Sequence, residues 1–380
     1  MSGGRSTGVS VYGVGTSRFA KQPERSGAEL AWDAVLEALA DARVTGVDAV
    51  LVGTVFGAPG VAQRVLHTLG LVGVPVLTIE NACASGTTAF HEAREAIRAG
   101  RWERVLVLGI EQMTTAFTGA IPPEQTDAEG RAGMALPSLY AMSAARYLHE
   151  GWVTHEQLAQ VSVKNHGHAA AGNERAQYSQ RCTVEEVLAS PMVADPLTLL
   201  QCCPVSDAAA AAVLGPDRGN PRDVPIRGSA LRSGELWDQR SPHVWGFDVV
   251  AATARDAYAE AGIGPRDADL FEVHDAFTIG EIVTTEALGL AEPGDGGRLV
   301  ESGHTTIGGR QPVNPSGGLL SRGHPLGATG VAQVAEAVWQ LRGEAGGRQV
   351  EGARVAVVET MGGGVSGIDG NACVVAVLGG

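Results

Sequence analysis

The chain has 380 residues, 44% of them hydrophobic and 18% charged; this excludes a disordered chain, and one so long buries roughly three quarters of its unfolded surface without covalent staples. Its 42 acidic and 28 basic residues leave a net charge of −14, which argues against nucleic acid or an anionic membrane as a general partner. Aromatic residues are 5% of the chain against 52 glycines, so the fold is expected to rest on small side chains and close backbone contacts.

In chain order, residues 9–14 read as a first strand, and Leu30, Val35, Leu36 and Leu39 at helical spacing predict a helix over 28–42. A buried strand over 47–55, a helix over 84–99 and a buried strand over 104–109 follow. Strands apolar throughout, alternating with helices, indicate a sheet covered on both faces. Residues 115–190 break this pattern with Pro122-Pro123, polar turns and two helical stretches near 138–149 and 154–170; they read as a long insertion over the cleft. A buried strand is expected over 201–214, and the Pro-, Gly- and charge-rich stretch 217–224 divides the chain into halves 1–221 and 222–380. The second half repeats the grammar: helix 249–261, strand 269–273, helix 327–342, strand 353–358. At an offset of 244 residues, Ala84, Gly86, Glu92, Ala93 and Arg98 coincide with Ala328, Gly330, Glu336, Ala337 and Arg342, and Ser85 falls on Thr329. Two similar α/β halves facing each other would present two small-residue helix N-termini to one centre.

The five cysteines form no C-x-x-C pair, which suits free thiols in a reducing compartment. The N-terminus Met-Ser-Gly-Gly-Arg has no apolar signal, and no run approaches the ~18 apolar residues of a membrane span, so a soluble cytoplasmic protein is expected. Cys83, in Asn81-Ala82-Cys83-Ala84-Ser85-Gly86, lies where a helix N-terminus would stabilise a thiolate. His324, in a Gly-rich loop stiffened by Pro325 and opening the mirrored helix, reads as an exposed imidazole able to move a proton. His274 follows a strand and could donate to a carbonyl oxygen, while Asp275 beside it could be structural. The amides of Gly362–Gly364 could approach a reacting atom closely. Cys202 and Cys203 read as inert, and His166 and His168, which share no helix face, as surface residues.

These motifs in order, Asn81–Gly86, Gln201–Asp207, His274–Thr278, Asn314–Gly330 and Gly362–Gly364, make the chain resemble the thiolase superfamily, especially its sterol-carrier-protein-like branch and the archaeal acetoacetyl-CoA thiolases. The resemblance implies a duplicated α/β fold of two βαβαβαββ halves in five αβαβα layers, with 115–190 as a loop domain over the acyl-CoA. It implies that Cys83 takes the acyl group from a coenzyme A thioester and that His324 activates it. His274 would line the oxyanion hole of an enolate, and the amides of Cys83 and Gly362 would form the hole for the tetrahedral intermediate. Many thiolases carry a second Cys where this chain has Thr360, whose hydroxyl is no general base; Glu359 or His324 is then the candidate base. The implied activity makes or cleaves a carbon–carbon bond of a β-ketoacyl-CoA, with a thiolase-fold retro-aldolase on a side-chain acyl-CoA, or acyl transfer to a non-CoA acceptor, as alternatives. No metal or bound cofactor is implied. The resemblance further implies a homodimer or dimer of dimers, with the strand after the Cys83 helix near the dimer face, and a small OB-fold and zinc-ribbon partner protein.

Overall fold

The structure is a computed structural model describing residues 8–238 and 240–380; the N-terminal five residues read above for a signal lie outside it. In chain order the first half contains β1 (Val9–Thr16), α1 (Gly27–Ala42), β2 (Ala49–Gly53), β3 (Val76–Ile79), α2 (Ser85–Arg98), β4 (Val105–Gln112), α3 (Leu136–His149), α4 (His155–Ala170) and β5 (Asp207–Pro216). The second half contains β6 (Val224–Arg232), α5 (Phe247–Ala261), β7 (Leu270–Glu272), α6 (Thr278–Ala287), α7 (Leu326–Arg342), β8 (Val355–Gly362) and β9 (Ala372–Gly379). Local sequence sets the ends. Ser26 and Glu29 form a capping box that starts α1, and Thr154 with Gln157 does the same for α4. Gly262 and Gly343 close α5 and α7 in left-handed conformation.

The strands run β3-β2-β4-β5-β1-β6-β9-β8-β7. Read outward from the β1–β6 junction, the two halves match: β2 is parallel to β3 and β4, and β5 is antiparallel to β4 and β1. Likewise β7 is parallel to β8, and β9 is antiparallel to β8 and β6. The second half's counterpart of β3 shrinks to a parallel bridge between Phe271 and Val313. The halves join where Ser10 and Val11 pair with Pro225 and Val224.

Three cores give the layers. One holds α1 and one face of the first half's strands; a second packs α2 and α7 between strands of both halves; the third holds α5, α6 and the other face of the second half's strands. Alternation along β5 shows the logic. Ala208, Ala210 and Ala212 face the central helices, while Ala209 and Ala211 face α1. Small side chains on both faces let helices approach the sheet from either side. The crossing of α2 and α7 is tighter still. A Cβ on Gly86 would lie 2.5 Å from the Gly327 carbonyl, and one on Gly330 would lie 2.8 Å from the Thr87 nitrogen. The glycines aligned by the internal repeat are thus the ones that let the mirrored helix starts touch.

Three expectations change. The strand expected over 201–214 begins at Asp207, because Pro204 has no N–H for a ladder and residues 202–205 line a cavity instead. The strand after the Cys83 helix, β4, is interior between β2 and β5; β3 and β7 are the strands at the sheet's edges. The inserted segment, entered from the first half, buries Leu139, Tyr147, Leu158 and Val161 in the apolar cluster of the second half.

Candidate active site

Between β3 and α2 the chain makes a strained turn, with Ala82 at φ 49°. The Ser85 hydroxyl accepts from the Asn81 amide at 2.9 Å and donates to the Ala82 carbonyl at 2.6 Å, which fixes the turn and sets Cys83 at its tip. Cys83 is 5% exposed and opens on a cavity. Gly362, at the end of β8, presses against the same turn: a Cβ there would collide with the Asn81 carbonyl and come within 3.1 Å of the Cys83 nitrogen.

His324 arrives from the other half. Its Nε2 is 3.2 Å from Cys83 Sγ and its Nδ1 is 2.7 Å from Thr329 Oγ1. The Thr329 hydroxyl donates to the Pro325 carbonyl at 3.0 Å, so its oxygen accepts from Nδ1–H. That tautomer leaves the Nε2 lone pair toward the thiol. His274 Nε2 lies 3.5 Å from His324 Nε2, and the sulfur and both rings present ligating atoms within 4.8 Å of one another. One sulfur and two imidazoles could also hold a soft divalent ion.

Burial governs the charges. It pushes the Cys83 thiol up to about 12, with Glu111 and Glu80 adding to the effect. It pushes His274 down to about 3 and His324 well below its ordinary range, the latter helped by the neighbouring His274 ring and Arg322. Burial thus favours the neutral thiol and neutral imidazole over the ion pair. This corrects two expectations, a resting thiolate at the helix N-terminus and an exposed His324: both groups are 5% exposed, and desolvation outweighs the helix dipole.

A buried polar frame holds the His324 loop. Asp275 accepts from the Leu319 amide and from Asn165 Nδ2, each at 2.7 Å. Lys164 pairs with Glu281 at 2.8 Å, and Asn314 donates to the same carboxylate at 2.9 Å. Glu111 accepts from the amides of Val55 at 2.8 Å and Gly327 at 3.0 Å, tying the start of α7 to the first half.

Glu359 falls elsewhere. Its side chain is 0% exposed, accepts from the His274 amide at 2.9 Å and lies 3.8 Å from Cys373 Sγ, away from the cavity. Alternation along β8 turns it into the outer core, and burial raises it to about 7. The Thr360 hydroxyl also turns away, donating to Gln333 Oε1 at 2.6 Å. His166 and His168, read as surface residues, are each 5% exposed. His168 donates from Nδ1 to the Asn314 carbonyl and accepts from the Ile307 amide, both at 3.0 Å, because α4 is packed on more than one side. Cys202 and Cys203, read as inert, line the cavity.

That cavity measures about 490 Å³ and reaches from Cys83, His274 and His324 to half-exposed Tyr178 and Val193. The inserted segment supplies Ile121, Leu136 and Tyr140 to its wall. The sequence reading did not single out Tyr140, since the insertion has no repeat partner against which to read it. The role of Thr329 was within reach, because the repeat sets it on Ser85.

Comparison with known proteins agrees with this architecture. The family described as "Thiolase, N-terminal domain" matches residues 15–217, and "Thiolase C-terminal domain-like" matches residues 234–375. An acetyl-CoA acetyltransferase from Methanothermobacter thermautotrophicus is 44% identical over 93% of this chain and 96% of its own. Human sterol carrier protein 2 is 38% identical over 93% of this chain and 70% of its own, and the benzoylsuccinyl-CoA thiolase subunit BbsB of Thauera aromatica is 38% identical over 94% and 95%. Among solved structures, an Ltp2-ChsH2(DUF35) aldolase superposes with a TM-score of 0.85 at 25% identity, covering 98% of both chains. Human mitochondrial 3-ketoacyl-CoA thiolase superposes with a TM-score of 0.75 at 19% identity and the same coverage, a likeness of fold. The chain belongs to the thiolase family and is an acyltransferase built on the duplicated thiolase fold.

Proposed function

We propose that the protein transfers an acyl group from coenzyme A through a covalent acyl-Cys83, and makes or cleaves the carbon–carbon bond of a β-ketoacyl thioester. The observation that carries this reading is the 3.2 Å contact between Cys83 Sγ and an imidazole nitrogen whose tautomer leaves it a proton acceptor. As Sγ attacks the thioester carbonyl, its proton passes to His324 Nε2. The oxyanion is held by the Cys83 and Gly362 amides, each such donor being worth ~3–4 kcal/mol of barrier. Collapse breaks the carbon–sulfur bond to coenzyme A, and the leaving thiolate takes the proton from His324. The same imidazole, neutral again, accepts the α-proton of a second thioester, whose enolate oxygen receives a hydrogen bond from His274 Nε2; the enolate carbon then attacks the acyl carbonyl, the bond to Cys83 Sγ breaks, and the departing thiolate takes that proton back from His324. The placement of Glu359 and Thr360 away from the cavity favours His324 for this step; Glu359 then positions His274 through its amide.

Incubation with acyl-CoA and intact-mass measurement tests the proposal: an acyl adduct is expected on the wild-type chain and none on Cys83→Ser. The TM-score of 0.85 to an aldolase favours retro-aldol cleavage as the second reading. Release of aldehyde or ketone without any adduct would decide for it. The relatives' names span acetyl-CoA and benzoylsuccinyl-CoA, so family membership leaves the acyl group open. The proposal extends to division at 221/222, to a homo-oligomer and to a small OB-fold partner. The neighbour solved with a DUF35 protein and the relative named a subunit support the partner, and co-purification with a small protein tests it. Among the described residues no helix is long and apolar enough to cross a membrane.

A further inference from the structure

The inner end of the cavity is walled by three aromatic rings. Tyr140 stacks on Phe277 with centroids 4.5 Å apart and meets Trp245 edge-on at 5.6 Å. Each is 6% exposed, whereas the rim residues Tyr178, Val193 and Leu199 are 39–53% exposed, so the wall lies deep. It lines the same cavity as the reacting sulfur, and Trp245 packs so closely on Gly363 that a Cβ there would lie 2.5 Å from the indole. Trp245 is fixed by its Nε1–H bond to the Ile368 carbonyl at 2.9 Å. Tyr140 in turn packs between this anchored indole and Phe277. Among the described residues no protein group hydrogen-bonds the Tyr140 hydroxyl, and burial keeps that phenol protonated, hence able to donate.

Size and shape select the occupant. An apolar cavity of roughly 150 Å³ accepts a benzene molecule. The 490 Å³ here, which includes the mouth of the cavity, exceeds that about threefold and is far more than an acetyl group fills. Flat, fixed aromatic faces match a ring better than a flexible chain, which must also surrender rotational freedom on binding. We propose that the acyl group taken by this site carries a six-membered aryl or alicyclic ring, seated on Phe277, Tyr140 and Trp245, with an oxygen substituent meeting the Tyr140 hydroxyl. This assignment rests on the acyl-transfer reading above.

The test measures the rate of Cys83 acylation by intact mass for the full-length protein with four thioesters: acetyl-, octanoyl-, phenylacetyl- and cyclohexylacetyl-CoA, the last three matched in carbon number. The ring thioesters are expected to acylate at least about tenfold faster per unit concentration than octanoyl-CoA. Tyr140→Leu should bring that ratio toward one, and Tyr140→Phe should keep it while abolishing any preference for (4-hydroxyphenyl)acetyl-CoA over phenylacetyl-CoA. Equal or faster acylation by octanoyl- or acetyl-CoA overturns the ring assignment and leaves acyl transfer standing. Absence of an adduct with every thioester overturns the underlying reading itself. The wild-type series decides alone if Tyr140→Leu fails to fold.

Discussion

The starts of α2 and α7 occupy mirrored positions in the two halves and use one device to different ends. Each opens with small residues and carries a hydroxyl in its first turn, Ser85 in one and Thr329 in the other. Ser85 spends its hydroxyl on backbone, clamping the turn that raises Cys83. Thr329 accepts from a side chain, setting the tautomer of His324. The comparison teaches that duplication supplies a symmetric frame, and that a change in what one hydroxyl faces makes one half the nucleophile's and the other the base's.

The asymmetry can be broken most severely at the sulfur. Cys83→Ser is expected to lower acyl transfer on the order of 10⁴-fold or more, measured as kcat/KM. His324→Gln should cost about 10³-fold, with acylation of Cys83 slowed in single-turnover measurements. The shared frame is tested by Gly86→Val, which pushes a side chain into the α7 backbone; a loss of about 1–3 kcal/mol is expected in chemical unfolding, and Gly330→Val should mirror it. Equal tolerance of both substitutions would show that the crossing is looser than its geometry indicates. Thr329→Val, which removes the acceptor for His324 Nδ1–H, should lower kcat about tenfold with little change in KM.

An effect that appears only as pH changes separates burial from pairing. His274 is depressed from 6.5 to about 3, so the folded state resists protonation. Its contribution to stability is intact above pH 6.5 and is lost as pH falls from there toward 3, at no more than about 1.4 kcal/mol per pH unit. Glu359 is raised from 4.5 to about 7 and works in the opposite sense, stabilising at low pH and losing that contribution as pH rises from 4.5 to 7. His274→Gln should therefore flatten the fall in Tm on acidification, and Glu359→Gln should steepen it.

Much of the site was legible in the residues. Cys83, His274, His324 and Gly362 meet as their motifs implied, because each follows a strand or opens a helix whose boundaries are encoded locally. Glu359 was misplaced as a candidate base because its neighbourhood in sequence says nothing of which face of β8 it takes. His166 and His168 were misread because helical periodicity describes a helix with one buried side, and α4 is packed on more than one.

By itself the sequence determined the alternation of strands and helices, the repeat at offset 244 and the small residues at both helix starts, since these depend on period, capping and side-chain size within short stretches. Only the tertiary structure decided that burial opposes charge on the thiol and imidazoles, that Glu359 faces away, and that an aromatic wall from the insertion and the second half lines the cavity of the sulfur. Charge state and cavity shape depend on what surrounds a group in space, and those neighbours come from residues tens to hundreds of positions away along the chain.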